Sequence, residues 1–197
     1  MDTADASYAE ERLAEESAWW KRLLDVQRPY RSHLRKLELG LVLEVGCGTG
    51  RNLDHLRGSS VGVDHNLRAV AIARERGLTV YTPEELRASG WIGPGCFDSL
   101  LFSHVLEHMK SEQAIELVRA HLDLLRAGGR VVVLTPQEAG FRSDPTHVEF
   151  MDFDKVEAVV RTAGLEVDSR YSFPLPRFTG ALFKYNEFVT LAHKPAA

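Results

Sequence analysis

Two periods of apolar residues run along this chain. Over 7–37 the apolar positions Tyr8, Leu13, Trp19, Trp20, Leu23, Leu24, Leu34 and Leu37 lie among helix formers. That spacing predicts two helices divided at Pro29, since a helix interior does not accept a residue without an N–H. After residue 40 the pattern changes to short apolar runs, at 41–45, 61–63, 78–81, 97–102 and 130–134, with helix-like stretches between them. Strands alternating with helices in this way predict an α/β fold with a parallel sheet covered on both faces. The tail departs from it: 165–172 and 182–192 read as two closing strands joined by the proline-rich stretch 173–179, an antiparallel edge hairpin. The expected organisation is a helical segment 1–38, acting as a cap, a lid or a contact that pairs two copies into a homodimer, followed by one domain over 39–197. Trp19, Trp20 and Trp91 are expected to pack in the core or a lid.

Composition narrows the classes. A chain of 197 residues with 44% hydrophobic and 26% charged positions suits a single core, burying roughly 70% of the unfolded surface. The 24 basic and 28 acidic residues are mixed, for a net charge of −4, so no basic footprint for a long nucleic acid is visible. A small molecule or short oligosaccharide is the expected partner. Cys47 and Cys96 are too few for a disulfide framework. With no signal-peptide pattern and no apolar run of about 20 residues to span a bilayer, the cytoplasm is the expected compartment.

The candidate chemistry begins at Glu44-Val45-Gly46-Cys47-Gly48-Thr49-Gly50, which follows the first strand and opens a helix. Its glycines allow a tight turn and let a ligand lie against the backbone. The second strand ends in Asp64, placed to accept both hydroxyls of an adenosine ribose, at about 20 residues after the loop. A nicotinamide site would share this logic, but Arg51 stands where the third packing glycine belongs. Glu44 would repel a dinucleotide phosphate yet suits the ammonium and sulfonium end of S-adenosylmethionine. Cys47 reads as a small packing residue.

These residues, together with Phe97-Asp98-Ser99-Leu100-Leu101-Phe102-Ser103-His104-Val105-Leu106-Glu107-His108 and Leu125-Arg126-Ala127-Gly128-Gly129-Arg130, resemble the ordered motifs of class I S-adenosylmethionine-dependent methyltransferases over at least 40–136. The resemblance implies a Rossmann-like, mostly parallel seven-stranded sheet and a donor site made of Glu44, Gly46, Cys47, Gly48, Gly50, Asn52, Asp64, His65, Glu84 and Ser103. One departure is Thr82-Pro83-Glu84 at the third strand end, where the family often has Asp-Ala, so the adenine contact through Glu84 stays open.

Directly after the fourth strand, His104, Glu107 and His108 share one face at helical spacing. His147 lies in the loop 139–148 after the fifth strand, at the same sheet edge, with Arg142 and Asp144. Two roles fit such a group, and they are compatible. One is a divalent cation, magnesium or manganese, held by imidazole and carboxylate ligands and lowering the pKa of a substrate hydroxyl. The other is a general base, His147 or His104. The segment resembles the metal site of small-RNA 2'-O-methyltransferases, with His104 in place of the first glutamate. That resemblance carries Glu107, His108 and His147 over as ligands, while similar Leu-Glu-His segments occur in methyltransferases that need no metal.

For the acceptor, Tyr30, Arg142, Asp144, Arg177 and Asn186 lie among aromatics in a pattern that suits a carbohydrate, whose hydroxyls need hydrogen bonds and whose CH faces stack on rings. The chain as a whole is similar to actinobacterial methyltransferases of the group that methylates the 1-OH of 3-O-methylated mannosides in methylmannose polysaccharide synthesis. This implies O-methylation of a short mannoside. A phenolic or quinone-like acceptor, an RNA 3'-end and a non-catalytic partner protein of the same fold are the rival expectations.

Overall fold

The computed structural model describes residues 27–56, 58 and 60–196. The helix expected N-terminal to Pro29, with Trp19 and Trp20, falls outside the described residues. Two compact units divide between Ser89 and Gly90. The strands form a seven-stranded, mostly parallel sheet, ordered β3 (Val80–Tyr81), β2 (Ser60–Val63), β1 (Val42–Val45) in the first unit and β4 (Phe97–Ser103), β5 (Leu125–Pro136), β7 (Glu187–His193), β6 (Glu166–Phe173) in the second.

In the first unit, helix α1 (Arg28–Lys36) precedes β1 (Val42–Val45), α2 (Arg51–Leu56), β2 (Ser60–Val63), α3 (Leu67–Glu75), β3 (Val80–Tyr81) and α4 (Pro83–Ala88). Pro29 sits in the first turn of α1, where a missing N–H costs nothing and the fixed φ favours the helix. All of β1 is buried, and its neighbour β2 runs parallel to it. Cys47, Leu53, Val70, Ala73 and Val80 form a buried apolar cluster, closed by Leu78. Leu53, Val70 and Val80 each contribute on the order of 1.5–3 kcal/mol when fully buried. β3 is shorter than the expected run 78–81 because Leu78 turns away to pack on that cluster. The helices that follow β2 and β3 have explicit starts. Asn66 caps α3 by accepting the amides of Arg68 and Ala69, and Thr82 with Glu85 makes a capping box on α4.

The second unit holds β4 (Phe97–Ser103), a 3-10 turn (Leu106–His108), α5 (Ser111–Arg119), β5 (Leu125–Pro136), α6 (Glu138–Arg142), α7 (Phe153–Ala163), β6 (Glu166–Phe173), a second 3-10 turn (Arg177–Ala181) and β7 (Glu187–His193). β4 and β5 pair in parallel, whereas β7 lies antiparallel between β5 and β6. This is the expected closing hairpin, with β6 at the edge. Helices α5 and α7 lie against each other, and bury Ala114 and Val118 on one and Val156, Val159, Val160 and Ala163 on the other. Asp152 caps α7 at its start, and Gly164, at φ 102°, ends it in a left-handed conformation that a side chain would strain.

Two expected strands have different limits. β5 begins at Leu125 rather than Arg130, because 125–129 stays attached to the sheet: Phe97 pairs with Leu125, and Gly128 donates to the Lys194 carbonyl. β7 begins at Glu187 rather than Leu182. The intervening residues are drawn into the turn that Thr179 starts, where the amides of Leu182 and Phe183 both bond to the Thr179 carbonyl.

Candidate functional site

The glycine loop of the first unit is built on positive φ angles, 72° at Gly46, 54° at Gly48 and 84° at Gly50. At Gly50 a methyl group would also collide with Leu78, so the residue is excluded there twice over. The amides of Gly46 and Cys47 both bond to the Val63 carbonyl, which pulls the loop against the end of β2. Asp64 is buried there: Oδ2 accepts the amide of Gly48 at 2.7 Å and Oδ1 that of Asn66 at 2.8 Å. Each oxygen keeps a second lone pair. Glu44 is 2% exposed, and its Oε1 accepts from Asn52 Nδ2 at 2.7 Å. A Cβ on Gly48 would meet nothing within 4 Å, so the loop presents open backbone.

This donor set fits S-adenosylmethionine: bare peptide for close approach, a ribose-height carboxylate and a second buried carboxylate for a cationic ligand. Burial raises the Cys47 thiol well above its usual pKa, helped by the negative charge of Glu44 and Asp64, so this cysteine is an inert packing group. His65 is exposed beside Asp64, with Nδ1 3.8 Å from Oδ1. Glu84 is exposed on the first turn of α4 and paired with Arg87. Tyr30 is half-buried on α1.

Ser103, buried at the end of β4, leads into the second unit's cluster. His104 adopts φ 56°, a left-handed backbone unusual for a side chain of its size. The sharp bend this produces leads into a 3-10 turn, so His104, Glu107 and His108 come together through that turn and not through the expected α-helical face. The His104 ring spans two carboxylates, with Nδ1 3.3 Å from Glu107 Oε1 and Nε2 2.8 Å from Glu187 Oε1. Burial opposes its charge, but the Glu107 and Glu187 carboxylates on either side outweigh it and raise its pKa to about 9. It therefore keeps its proton at neutral pH. His104, expected as base and metal ligand, lies outside the group whose ligand atoms converge, and both of its ring nitrogens face carboxylates.

Glu107 is 0% exposed, and neither of its carboxylate oxygens has a hydrogen bond. An ionised carboxylate in that setting needs a positive partner; His104 at 3.3 Å is one, and the carboxylate keeps lone pairs for another. Among the described residues, the group able to hold a metal ion is Glu107, His108 and His147, whose ligand atoms all lie within 4.8 Å of one another. The His147 side chain is 5% exposed, and its Nδ1 bonds to the Phe141 carbonyl at 2.7 Å. That bond fixes the tautomer and leaves the lone pair on Nε2, which faces Glu107 Oε1 at 3.9 Å and Asp144 Oδ2 at 4.0 Å. His108 is held the same way, with Nδ1 3.2 Å from the Thr146 carbonyl, and burial lowers its pKa, keeping the ring neutral. Two imidazoles and a buried carboxylate are an imidazole–oxygen donor set that suits manganese, zinc or magnesium.

Among the expected acceptor contacts, Asp144 Oδ1 shapes the loop by accepting from Thr146. Arg142 is exposed and donates to the Ala181 carbonyl, and Arg177 is paired with Glu138. Asn186 requires correction. It is 0% exposed, and its Nδ2 lies within hydrogen-bonding distance of Gln137 Oε1 and Ser172 Oγ while its Oδ1 accepts the Leu175 amide, so it braces the β6–β7 connection and cannot reach an acceptor. Trp91, expected in a core or lid, is half-exposed and edge-on to Phe97. Sequence reasoning gave Glu187 no part in this cluster. Its signal was a carboxylate opening a mostly apolar strand, and that carboxylate is buried here against His104.

No helix among the described residues is long and apolar enough to cross a membrane. No curated protein sequence matches the chain. Solved structures do. A SAM-dependent methyltransferase from Archaeoglobus fulgidus superposes with a TM-score of 0.63 at 18% identity, over 90% of this chain and 100% of that one. The complex between the Haloferax volcanii Trm112 methyltransferase activator and the putative methyltransferase gives 0.66 at 15% identity, over 99% of each chain. Magnesium protoporphyrin IX methyltransferase from Synechocystis PCC 6803, with bound SAM, gives 0.58 at 16% identity, over 86% of this chain and 82% of that one. At these identities they establish the Rossmann-like methyltransferase fold. The model of the methyltransferase domain family matches residues 20–170, and the chain belongs to that family.

Proposed function

We propose that this chain is an S-adenosylmethionine-dependent O-methyltransferase acting on a sugar hydroxyl, with the 1-OH of a short 3-O-methylated mannoside as first choice, assisted by magnesium or manganese. The observation that carries the reading is Glu107, a fully buried carboxylate without a hydrogen bond, flanked by two imidazoles whose Nδ1 atoms face backbone carbonyls. A cation bound there supplies Lewis acidity that lowers the pKa of a hydroxyl, which must shed its proton before it can attack a methyl group. Glu107, His108 and His147 hold it. The loop from Gly46 to Gly50, with Glu44, Asn52 and Asp64, takes the donor, and the SAM-bound Synechocystis enzyme of the same fold supports that choice. Tyr30, Arg142, Asp144 and Arg177 are the side chains assigned to the acceptor, and a vicinal diol suits a cation that exchanges oxygen ligands.

A second reading is favoured by one bond. Because His147 Nδ1 is committed to the Phe141 carbonyl, its Nε2 is also a competent general base without any metal.

The test is transfer of labelled methyl to short mannosides, phenols and RNA ends, each with EDTA and with magnesium or manganese restored. Transfer to a mannoside that EDTA abolishes is expected. Transfer indifferent to EDTA assigns His147 as base, and transfer to phenols alone overturns the sugar reading.

A further inference from the structure

We infer that Glu187 and His104 are a positioning pair for Glu107, so that a residue of β7 sets how tightly the cluster holds its cation. This rests on the cation reading above. Glu187, His104 and Glu107 form a line of contacts, 2.8 Å on one side of the imidazole and 3.3 Å on the other, joining residues 80 positions apart in the chain. Only Glu107 belongs to the group whose ligand atoms converge, so His104 stands behind the site and not in it.

The line is anchored at both ends. Glu187 is the first residue of β7, paired across to Pro136 on β5 and to Phe173 on β6, so its backbone is held from both sides. His104 keeps its left-handed φ of 56° while its amide bonds to the Leu134 carbonyl at 2.9 Å. A strained backbone at a histidine persists only where its surroundings over-determine it, and here the two carboxylates do so. Metal ligands depend on such outer contacts for orientation, and removing them commonly weakens the metal ten- to a hundredfold. In this chain the histidine lies between two carboxylates. Without Glu187 the His104 ring loses one of its two anchors, and the contact that orients Glu107 loosens with it.

The experiment titrates the full chain with Mn²⁺ alone, no donor present, following free Mn²⁺ by electron paramagnetic resonance. Wild type is expected to bind one ion and Glu107→Gln to bind none. Glu187→Gln should raise the Kd ten- to a hundredfold, and Glu187→Asp should recover most of the loss. Should Glu187→Gln fold poorly by circular dichroism, His104→Gln gives the same readout, with the same direction expected. Mn²⁺ affinity unchanged in Glu187→Gln or His104→Gln, even with a lowered melting temperature, would mean a purely structural role and overturns the inference while the cation reading stands. Wild type that binds no Mn²⁺ overturns both.

Discussion

Asp64 accepts the Gly48 amide at 2.7 Å, so a carboxylate at the end of β2 sets the conformation of the loop that follows β1. Its other oxygen accepts the backbone amide of Asn66, whose side chain caps α3. Hydrogen bonds to a charged group contribute about 1.5–3 kcal/mol each. Asp64→Ala is expected to weaken S-adenosylmethionine binding by ten- to a hundredfold in titration calorimetry, through the lost ribose contact and the loosened loop together. Unchanged affinity would remove Asp64 from the donor site.

Two glycines are expected to resist even the smallest side chain. Gly50→Ala meets both a φ of 84° and the Leu78 side chain, and Gly62→Ala places a methyl 2.5 Å from Cys47 Sγ. Overpacking and strain of this kind cost about 1–3 kcal/mol. Urea unfolding should show both variants destabilised by that amount, and full stability in either would contradict the packing described.

His147→Ala should abolish methyl transfer and Mn²⁺ binding while sparing affinity for the donor, because its contacts lie in the second unit, with Glu107, Phe141 and Asp144. Near-normal turnover in that variant would exclude His147 both as ligand and as base.

His55 gives a dependence on pH. It is 5% exposed, and burial first, then the charges of Arg51 and Arg31, lower its pKa to about 4. The unfolded chain protonates this ring near pH 6.5, while the folded chain resists until about 4. The stabilisation is therefore complete above pH 6.5 and is lost as pH falls towards 4, by up to about 3 kcal/mol. His55→Leu should flatten that part of the stability profile in urea titrations at pH 7 and 4.5. An identical slope in both proteins would show that other groups carry it.

The sheet was legible because buried parallel strands read as unbroken apolar runs, and 97–102 and 61–63 nearly coincide with β4 and β2. The start of β7 was not. Leu182 and Phe183 look like strand residues, but they are exposed on the turn, and the apolar pattern carries no trace of the Asn186 hydrogen bonds that shape the connection. At the cluster, spacing named His104, Glu107 and His108, and the loop after the fifth strand added His147. The fate of His104 depended on a carboxylate 83 residues away, a pairing that only β7 lying beside β5 brings about.

The Glu107 carbonyl accepts the amides of both Val148 and Glu149, at 2.8 and 3.2 Å. The turn after β4 and the loop after β5 are thus clamped main chain to main chain, directly behind the side chains that would share an ion. A fluctuation that opens this clamp would disperse the ligands, and an ion that gathers them would oppose the opening. Mass action then makes cation concentration a thermodynamic handle on this region. Slower amide hydrogen exchange at Val148 and Glu149 as the cation is added would report the linkage even where no acceptor is known.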